Sequence, residues 1–367
     1  GLSGTMTMNP QMIAEATRIQ SVFQDAGAHT VQAAILQPAE TLLDLYGEDI
    51  RARAYVTSDP LRGEQMLRPD FTVPVVQMHM DQGAEPARYT YNGVVFRRQE
   101  DDATRANEYL QVGYEVFDRT NPAQTDAEVF ALIQTALGNT PVRATIGDIG
   151  ILMAAVDGLR TSDRRKAALR RHIWRPRRFR TLLDRFSGRS EAPATRQALL
   201  NAADPFASTG PQIGLRSAAE VAERIENLRL DAALDPISDA EVALIDALLS
   251  VRETCPNALE QLRDIAVDIP SISGAVARLA DRLDALADRD VEIQSLMFEA
   301  SFGRTSMEYY DGFVFGFNAI SQAGLSPVAT GGRYDALTQR LGKGDAIPAV
   351  GGVIRPDLLL QISGDAS

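Results

Sequence analysis

The sequence predicts an α+β fold: a mixed, mainly antiparallel sheet flanked by helices and interrupted by a helical insertion. Three observations lead there. Strand-like sequence rich in aromatics occurs near Tyr89–Phe117 and returns at Ser301–Ala319. Between them, Gly158–Ala287 is poor in glycine and aromatics and runs in helical periods of alanine, leucine, arginine and aspartate. Amphipathic helices bracket the first strand region, and strands on both sides of a helical block point to one interrupted sheet rather than two domains in tandem. The core is therefore expected at residues 6–157 and 291–367, with 158–290 as the insertion. "GLSGT" ahead of Met6 reads as an expression scar, with the natural start at Met6 or Met8.

The elements follow in order. Asn9 before Pro10 is the pattern of an N-cap with proline in the first turn. Met12, Ile13, Ala16, Ile19, Val22, Phe23 and Ala26 recur at helical spacing, so a helix is expected over Asn9–Gly27. Pro38–Arg62 shows no period and reads as irregular. "LRPDFTVPVVQMHM" (Leu67–Met80) starts extended, because Arg68 precedes a proline, and can continue as a helix. Strands are expected near Tyr89–Arg98 and Glu108–Phe117, then a helix over "PAQTDAEVFALIQTALGN" that stops at Gly138. In "MEYYDGFVFGFNA" Phe313, Phe315 and Phe317 alternate with glycine, and the face of Gly312 and Gly316 suggests that something lies close to the backbone there. "ATGGRY" reads as a glycine turn ahead of a helix, a candidate anion or carboxylate loop.

Composition excludes several classes. At 367 residues the chain can bury a sizeable core. A net charge of −12 argues against a general nucleic-acid coat. Cys255 is the single cysteine, which rules out an intrachain disulfide and fits a reducing cytoplasm. His29, His79 and His172 lie far apart, so no metal site is expected, and no apolar run is long enough to span a membrane.

Alternation places Tyr109, Gln111, Gly113, Glu115 and Phe117 on one face of the second strand, and Glu108, Leu110, Val112, Tyr114 and Val116 on the ordinary core face. Tyr91, Gly93, Val95 and Arg97 share a face of the first strand. In an antiparallel hairpin Arg97 can lie near Gln111 and Glu115, and Gly113 leaves a gap between those two. Buried glutamate and arginine are costly unless paired. Two readings stay open: a structural ion pair at the sheet edge, or a pocket for a zwitterion with arginine facing a carboxylate and acids facing an ammonium. Asp70 and Thr72, two apart, could add an anion and a hydroxyl, although such residues after a proline usually cap a helix. Tyr309 and Tyr310 are either core residues with a wet hydroxyl or part of the same wall.

Read in order, "LRPDFT", "FRRQE…EYLQVGYEVF", "MEYYDGFVF" and "GGRYDAL" resemble collinear motifs of histidyl-tRNA synthetase, a class II aminoacyl-tRNA synthetase. The similarity spans nearly the whole chain outside the helical segment. By that resemblance Asp70 and Thr72 would hold a histidine ammonium and Arg97 its carboxylate. Gln111 would bridge the two, and Glu115 with Tyr309 or Tyr310 would read the imidazole. The departures concern the nucleotide half. Gln99 stands where motif 2 has a glutamate, Thr305 where the synthetases have an arginine (Arg304 sits one residue earlier), and Leu358 at the motif 3 arginine, within "IRPDLLL". Removing one such positioned charge commonly costs about two to three orders of magnitude in rate. The chain ends about ten residues past that segment, where an anticodon-binding domain would follow in the synthetases.

A retained amino-acid half with a lost nucleotide half resembles the regulatory subunits of ATP phosphoribosyltransferase. The resemblance implies no catalysis of its own and no cofactor. The implied partners are a short-form catalytic subunit and free L-histidine as feedback inhibitor, with a homodimer inside a hetero-octamer. The dimer would form through the motif 1 region around Pro38. The alternatives are an active amino-acid-activating enzyme and a nucleic-acid-binding module. The latter would use Arg160–Arg180, where nine arginines and one lysine stand against Asp163 for a net charge of +9. The plainer reading of that run is a solvated helical face paired to the chain's own acids, with Trp174 packed inside it.

Overall fold

A computed structural model describes residues 8–190, 198, 217–322, 324–341 and 344–365. The expected scar and Met6 lie outside the described residues. The strands are β1 (His29–Thr30), β2 (Leu36–Pro38), β3 (Val56–Asp59), β4 (Gly63–Leu67), β5 (Ala87–Phe96), β6 (Glu108–Phe117), β7 (Val142–Asp148), β8 (Arg252–Thr254), β9 (Met297–Glu299), β10 (Phe313–Ala319), β11 (Ala329–Arg333) and β12 (Ala349–Ile354). Nine of them form one sheet in the order β1-β5-β6-β12-β11-β10-β7-β9-β8, and β2-β4-β3 make a small second sheet. Only β1–β5 and β7–β9 pair parallel, so the sheet is mixed and mainly antiparallel, as expected.

The first helix, α1 (Pro10–Asp25), forms for the reasons its sequence contains. Asn9 accepts the Met12 amide at 2.9 Å, Pro10 opens the first turn, and Gly27 takes φ +99° just past the end. Its buried Ala16, Ile19 and Phe23 lie against β5 and β6, with Phe23 stacked on Tyr114 at 5.3 Å between ring centroids. Burying a phenylalanine in this way contributes roughly 1.5–3 kcal/mol. The helix Pro122–Leu137 packs on the same layer, its Phe130 against Phe315 and Phe317.

Two expectations need correcting. The stretch Pro38–Arg62 is not irregular: it holds short helices at Ala39–Leu42 and Gly47–Arg53, a turn of 3-10 helix and β3. Elements this short carry too few residues to show a period, and packing against the core decides them. "ATGGRY" is not a turn but β11, a strand in the middle of the sheet.

The glycines of β11 and β12 have a steric explanation. Glu115, Gly351, Gly332 and Val314 face one another in a row across β6, β12, β11 and β10. A Cβ on Gly351 would sit 1.7 Å from Glu115 Oε2, and one on Gly332 would sit 2.8 Å from the Tyr310 ring. On Gly113 a Cβ would meet Tyr91 Cζ at 2.0 Å, so the gap expected there is filled by Tyr91. Gly316 likewise makes room for the chain's own Phe302, whose Cζ would lie 2.8 Å from an added Cβ. The small residues form a trough into which large polar side chains lean.

Among the described residues of 158–290 the elements are helices apart from β8, which pairs with β9 and extends the edge of the main sheet. Its helix Ser273–Asp288 carries Arg282, which bonds Asp126 at 2.8 Å and Asp148 at 2.9 Å. Arg333 joins the same cluster through Asp126 at 2.8 Å and Asp335 at 2.8 Å. Buried charges are tolerated here because each is multiply paired. Four of the nine arginines in the run form ion pairs with acids among the described residues. Arg165 bonds Asp231 at 2.8 Å, Arg175 bonds Glu308 at 3.0 Å, and Arg170 and Arg180 reach Asp157 and Asp246.

Candidate ligand-binding site

Tyr114 turns toward α1, so its neighbours Gly113 and Glu115 face the other side of the sheet. The β5–β6 register sets Tyr91 opposite Gly113, Gly93 opposite Gln111 and Tyr89 opposite Glu115. Over this face lies a cavity of about 1370 Å³. Asp70, Thr72, Arg97, Gln111, Tyr309 and Tyr310 all line it, so six of the seven residues singled out in the sequence come together.

Glu115 does not reach the wall. It is 1% exposed and lies behind, its oxygens taken by Thr72 Oγ1 (2.9 Å), the Tyr91 hydroxyl (2.9 Å) and the Tyr334 hydroxyl. The expected closeness of Arg97 and Glu115 also fails. The Arg97 amide bonds the Asn107 carbonyl, eight residues before Glu115, so the backbones of the two residues lie roughly 25 Å apart along the strand, and no ion pair forms between them among the described residues. Sharing a face is not the same as being neighbours.

The electrostatics divide the cavity. Asp70 is 4% exposed and accepts the hydroxyls of Tyr46 (3.0 Å) and Tyr309 (2.5 Å). Burial raises its pKa, opposed by Tyr309, Arg97, Tyr46 and the Val73 amide. Arg97 donates Nε to the Pro69 carbonyl at 3.1 Å. Burial opposes its charge, but Tyr109 and Asp70 outweigh that and raise its pKa. Burial pushes Glu115 up to about 7 against the pull of its three hydroxyl donors. Gln111 lines the same cavity as Asp70 and Arg97, and its Oε1 is buried without a hydrogen-bond partner. An orphaned buried acceptor costs roughly 1–3 kcal/mol, so a ligand donor at that point is the natural reason to keep it. Gln111→Met should accordingly leave stability unchanged or raise it by about 1 kcal/mol in urea unfolding. A loss of 2 kcal/mol or more would mean that the amide is structural.

Sequence reasoning missed Tyr46, Tyr91 and Tyr334. Tyr334 stood inside "GGRYDAL", and Tyr91 shares the face of Gly113, so alternation could have found it. Tyr46 lies in the stretch read as irregular and carried no signal. Among the described residues no cluster of His, Cys, Asp or Glu could hold a metal ion, and no helix is long and apolar enough to cross a membrane.

Comparison with known proteins bears on this geometry. The histidyl-tRNA synthetase family model matches residues 10–229 and 216–359. The ATP phosphoribosyltransferase regulatory subunit of Mesorhizobium japonicum is 31% identical over 381 residues, covering 94% of this chain and 96% of that protein. That of Brucella canis is 30% identical over 359 residues, covering 92% and 94%. The chain belongs to the histidyl-tRNA synthetase-like family of ATP phosphoribosyltransferase regulatory subunits.

Two solved structures support the fold of this regulatory-subunit family. An ATP phosphoribosyltransferase regulatory subunit/histidyl-tRNA synthetase from Bacillus halodurans superposes with a TM-score of 0.70 at 20% identity, over 99% of this chain and 82% of that one. Histidyl-tRNA synthetase from Nostoc sp. PCC 7120 gives 0.64 at 17% identity, over 99% and 75%. The positions where this regulatory-subunit relative departs from the synthetase motifs can now be placed. Gln99 donates to the Ala106 carbonyl at 3.0 Å. Leu358 is 7% exposed, an apolar side chain at the cavity edge. Arg355 lies 3.8 Å from the Tyr109 ring centroid and is tied to Asp357 at 2.8 Å, so it covers the aromatic face on which a planar base could stack.

Proposed function

We propose that this chain is a cytoplasmic, non-catalytic regulatory subunit that binds free L-histidine in the cavity beside β6. Through it, the chain activates, and makes feedback-sensitive, a short-form ATP phosphoribosyltransferase catalytic subunit. What supports the histidine reading is that Asp70, Arg97 and Gln111, whose Oε1 has no hydrogen-bond partner, all line one cavity. An α-amino acid presents the complementary pair: an ammonium for Asp70, Thr72 and Gln111, and a carboxylate for Arg97. Glu115 acts from behind by fixing the Thr72 hydroxyl, and the ring of the ligand faces Tyr309 and Tyr310. Gln99, Thr305 and Leu358 argue against adenylate formation, and Arg355 covers one face of Tyr109 on which a nucleobase could stack. The assembly follows the family: a homodimer within a hetero-octamer.

Linkage sets the terms of regulation. Histidine inhibits only if it binds the inhibited arrangement more tightly, and the partner's substrates then weaken histidine binding by the same factor, typically 5–150-fold for a coupling of about 1–3 kcal/mol. The direct test mixes the protein with a short-form catalytic subunit and measures complex formation, gain of activity and histidine inhibition together. All three should appear. Histidine-dependent ATP–pyrophosphate exchange by the chain alone would instead establish an activating enzyme. A finer test concerns the carboxylate contact. Arg97→Ala should weaken L-histidine about 10–100-fold by calorimetry, while histidinol, which has no carboxylate, should bind the variant and the parent alike. Equal losses for both ligands would show that Arg97 does not face the carboxylate.

A further inference from the structure

The charges lining the cavity do not close on a single amino acid. Its arginines 53, 105, 175 and 355 each have an acidic partner, Asp49, Asp102, Glu308 and Asp357 in turn. Arg97 is answered by the ligand carboxylate. Arg304 is left over. It is 6% exposed, its Nε donates to the Ile173 carbonyl at 2.9 Å, and its guanidinium carbon lies 4.9 Å from the Phe179 ring centroid. Its Nη2 is buried without a hydrogen-bond partner, and it makes no ion pair among the described residues. Burial, with Arg180 nearby, pushes its pKa down to about 10, so the charge is held at a cost.

A second orphan donor shares this wall. Trp174, next in the chain to the carbonyl that anchors Arg304, also lines the cavity, and its indole Nε1 is buried without a partner. Two unsatisfied N–H donors, one of them cationic, call for an acceptor bearing negative charge. The cavity, at about 1370 Å³, exceeds the roughly 300–1,000 Å³ of ordinary small-molecule pockets, so there is volume beyond what an amino acid fills.

We infer that the wall formed by Arg304 and Trp174 is a second subsite of the cavity, taking the phosphate or carboxylate group of an anionic ligand. The subsite is separate from the contacts proposed for L-histidine: Arg97 is anchored on the core at Pro69, Arg304 on the helical segment at Ile173. A ligand bound there bridges the sheet and that segment.

The chain carries its own reporter, because Trp174 is the single tryptophan. The test titrates the fluorescence of the full-length protein with sodium phosphate and with sodium acetate at constant ionic strength set by chloride. A saturable change with phosphate alone identifies a phosphoryl site, and one with both anions a general anion site. Arg304→Gln should weaken the response at least about tenfold, the loss of one charge-assisted bond. Trp174→Phe, followed by phosphate calorimetry, should also weaken binding and tests the site should Arg304→Gln fail to fold. No saturable response from the parent protein, or unchanged affinity in a folded variant, overturns the subsite. A parent protein that binds phosphate but not L-histidine would sink the amino-acid reading and leave this one standing.

Discussion

Glu115→Ala should both unfold more easily and lose L-histidine binding. The fully buried carboxylate accepts three hydroxyls, from Thr72, Tyr91 and Tyr334. Each orphaned donor costs roughly 1 kcal/mol or more, so a loss of about 3 kcal/mol is expected in urea unfolding. A change under 0.5 kcal/mol would mean that the hydroxyls find other partners. The same residue makes stability depend on pH. Its folded pKa of about 7 lies above the ordinary 4.5, so the folded chain holds the proton more tightly than the unfolded one. The contribution is therefore fully present below pH 4.5 and lost as pH rises through about 7, by up to about 3 kcal/mol. Asp70 and Asp311, both raised by burial, act in the same direction, so the difference from Glu115→Gln isolates the Glu115 share. That variant, which cannot titrate, should show a flatter profile than the parent between pH 5 and pH 8. Parallel profiles would place the titration elsewhere.

Asp70→Asn should do the opposite: leave the fold alone and cost affinity. Burial already works against the Asp70 charge, and the hydroxyls of Tyr46 and Tyr309 can turn to meet an amide. Stability should stay within about 1 kcal/mol. The ligand ammonium, however, loses its one buried counter-charge, worth roughly 1.5–3 kcal/mol, so the Kd for L-histidine should rise about 10–100-fold. Calorimetry decides it, with unfolding as the control. An unchanged Kd would remove Asp70 from the site. Paired with Glu115, this variant separates a residue that faces the ligand from one that holds the wall upright.

Part of this was legible in the chain itself. Periodicity, caps and alternation identified α1, the two long strands, the helical segment and the split sheet, because each is long enough for a period of 3.6 or 2 to rise above noise. Alternation put Arg97 and Gln111 on the sheet face that carries the cavity, since strand faces follow from covalent geometry alone, while Asp70, Thr72, Tyr309 and Tyr310 came from the resemblance of their motifs. What alternation cannot supply is distance along a strand and depth behind a wall. Only the folded register separated Arg97 from Glu115, sent Tyr91 across Gly113 and opened Gly351 beneath the Glu115 carboxylate. Short elements such as Gly47–Arg53, and with them Tyr46, also waited on tertiary packing, because their few residues are held by the neighbours they meet rather than by any pattern of their own.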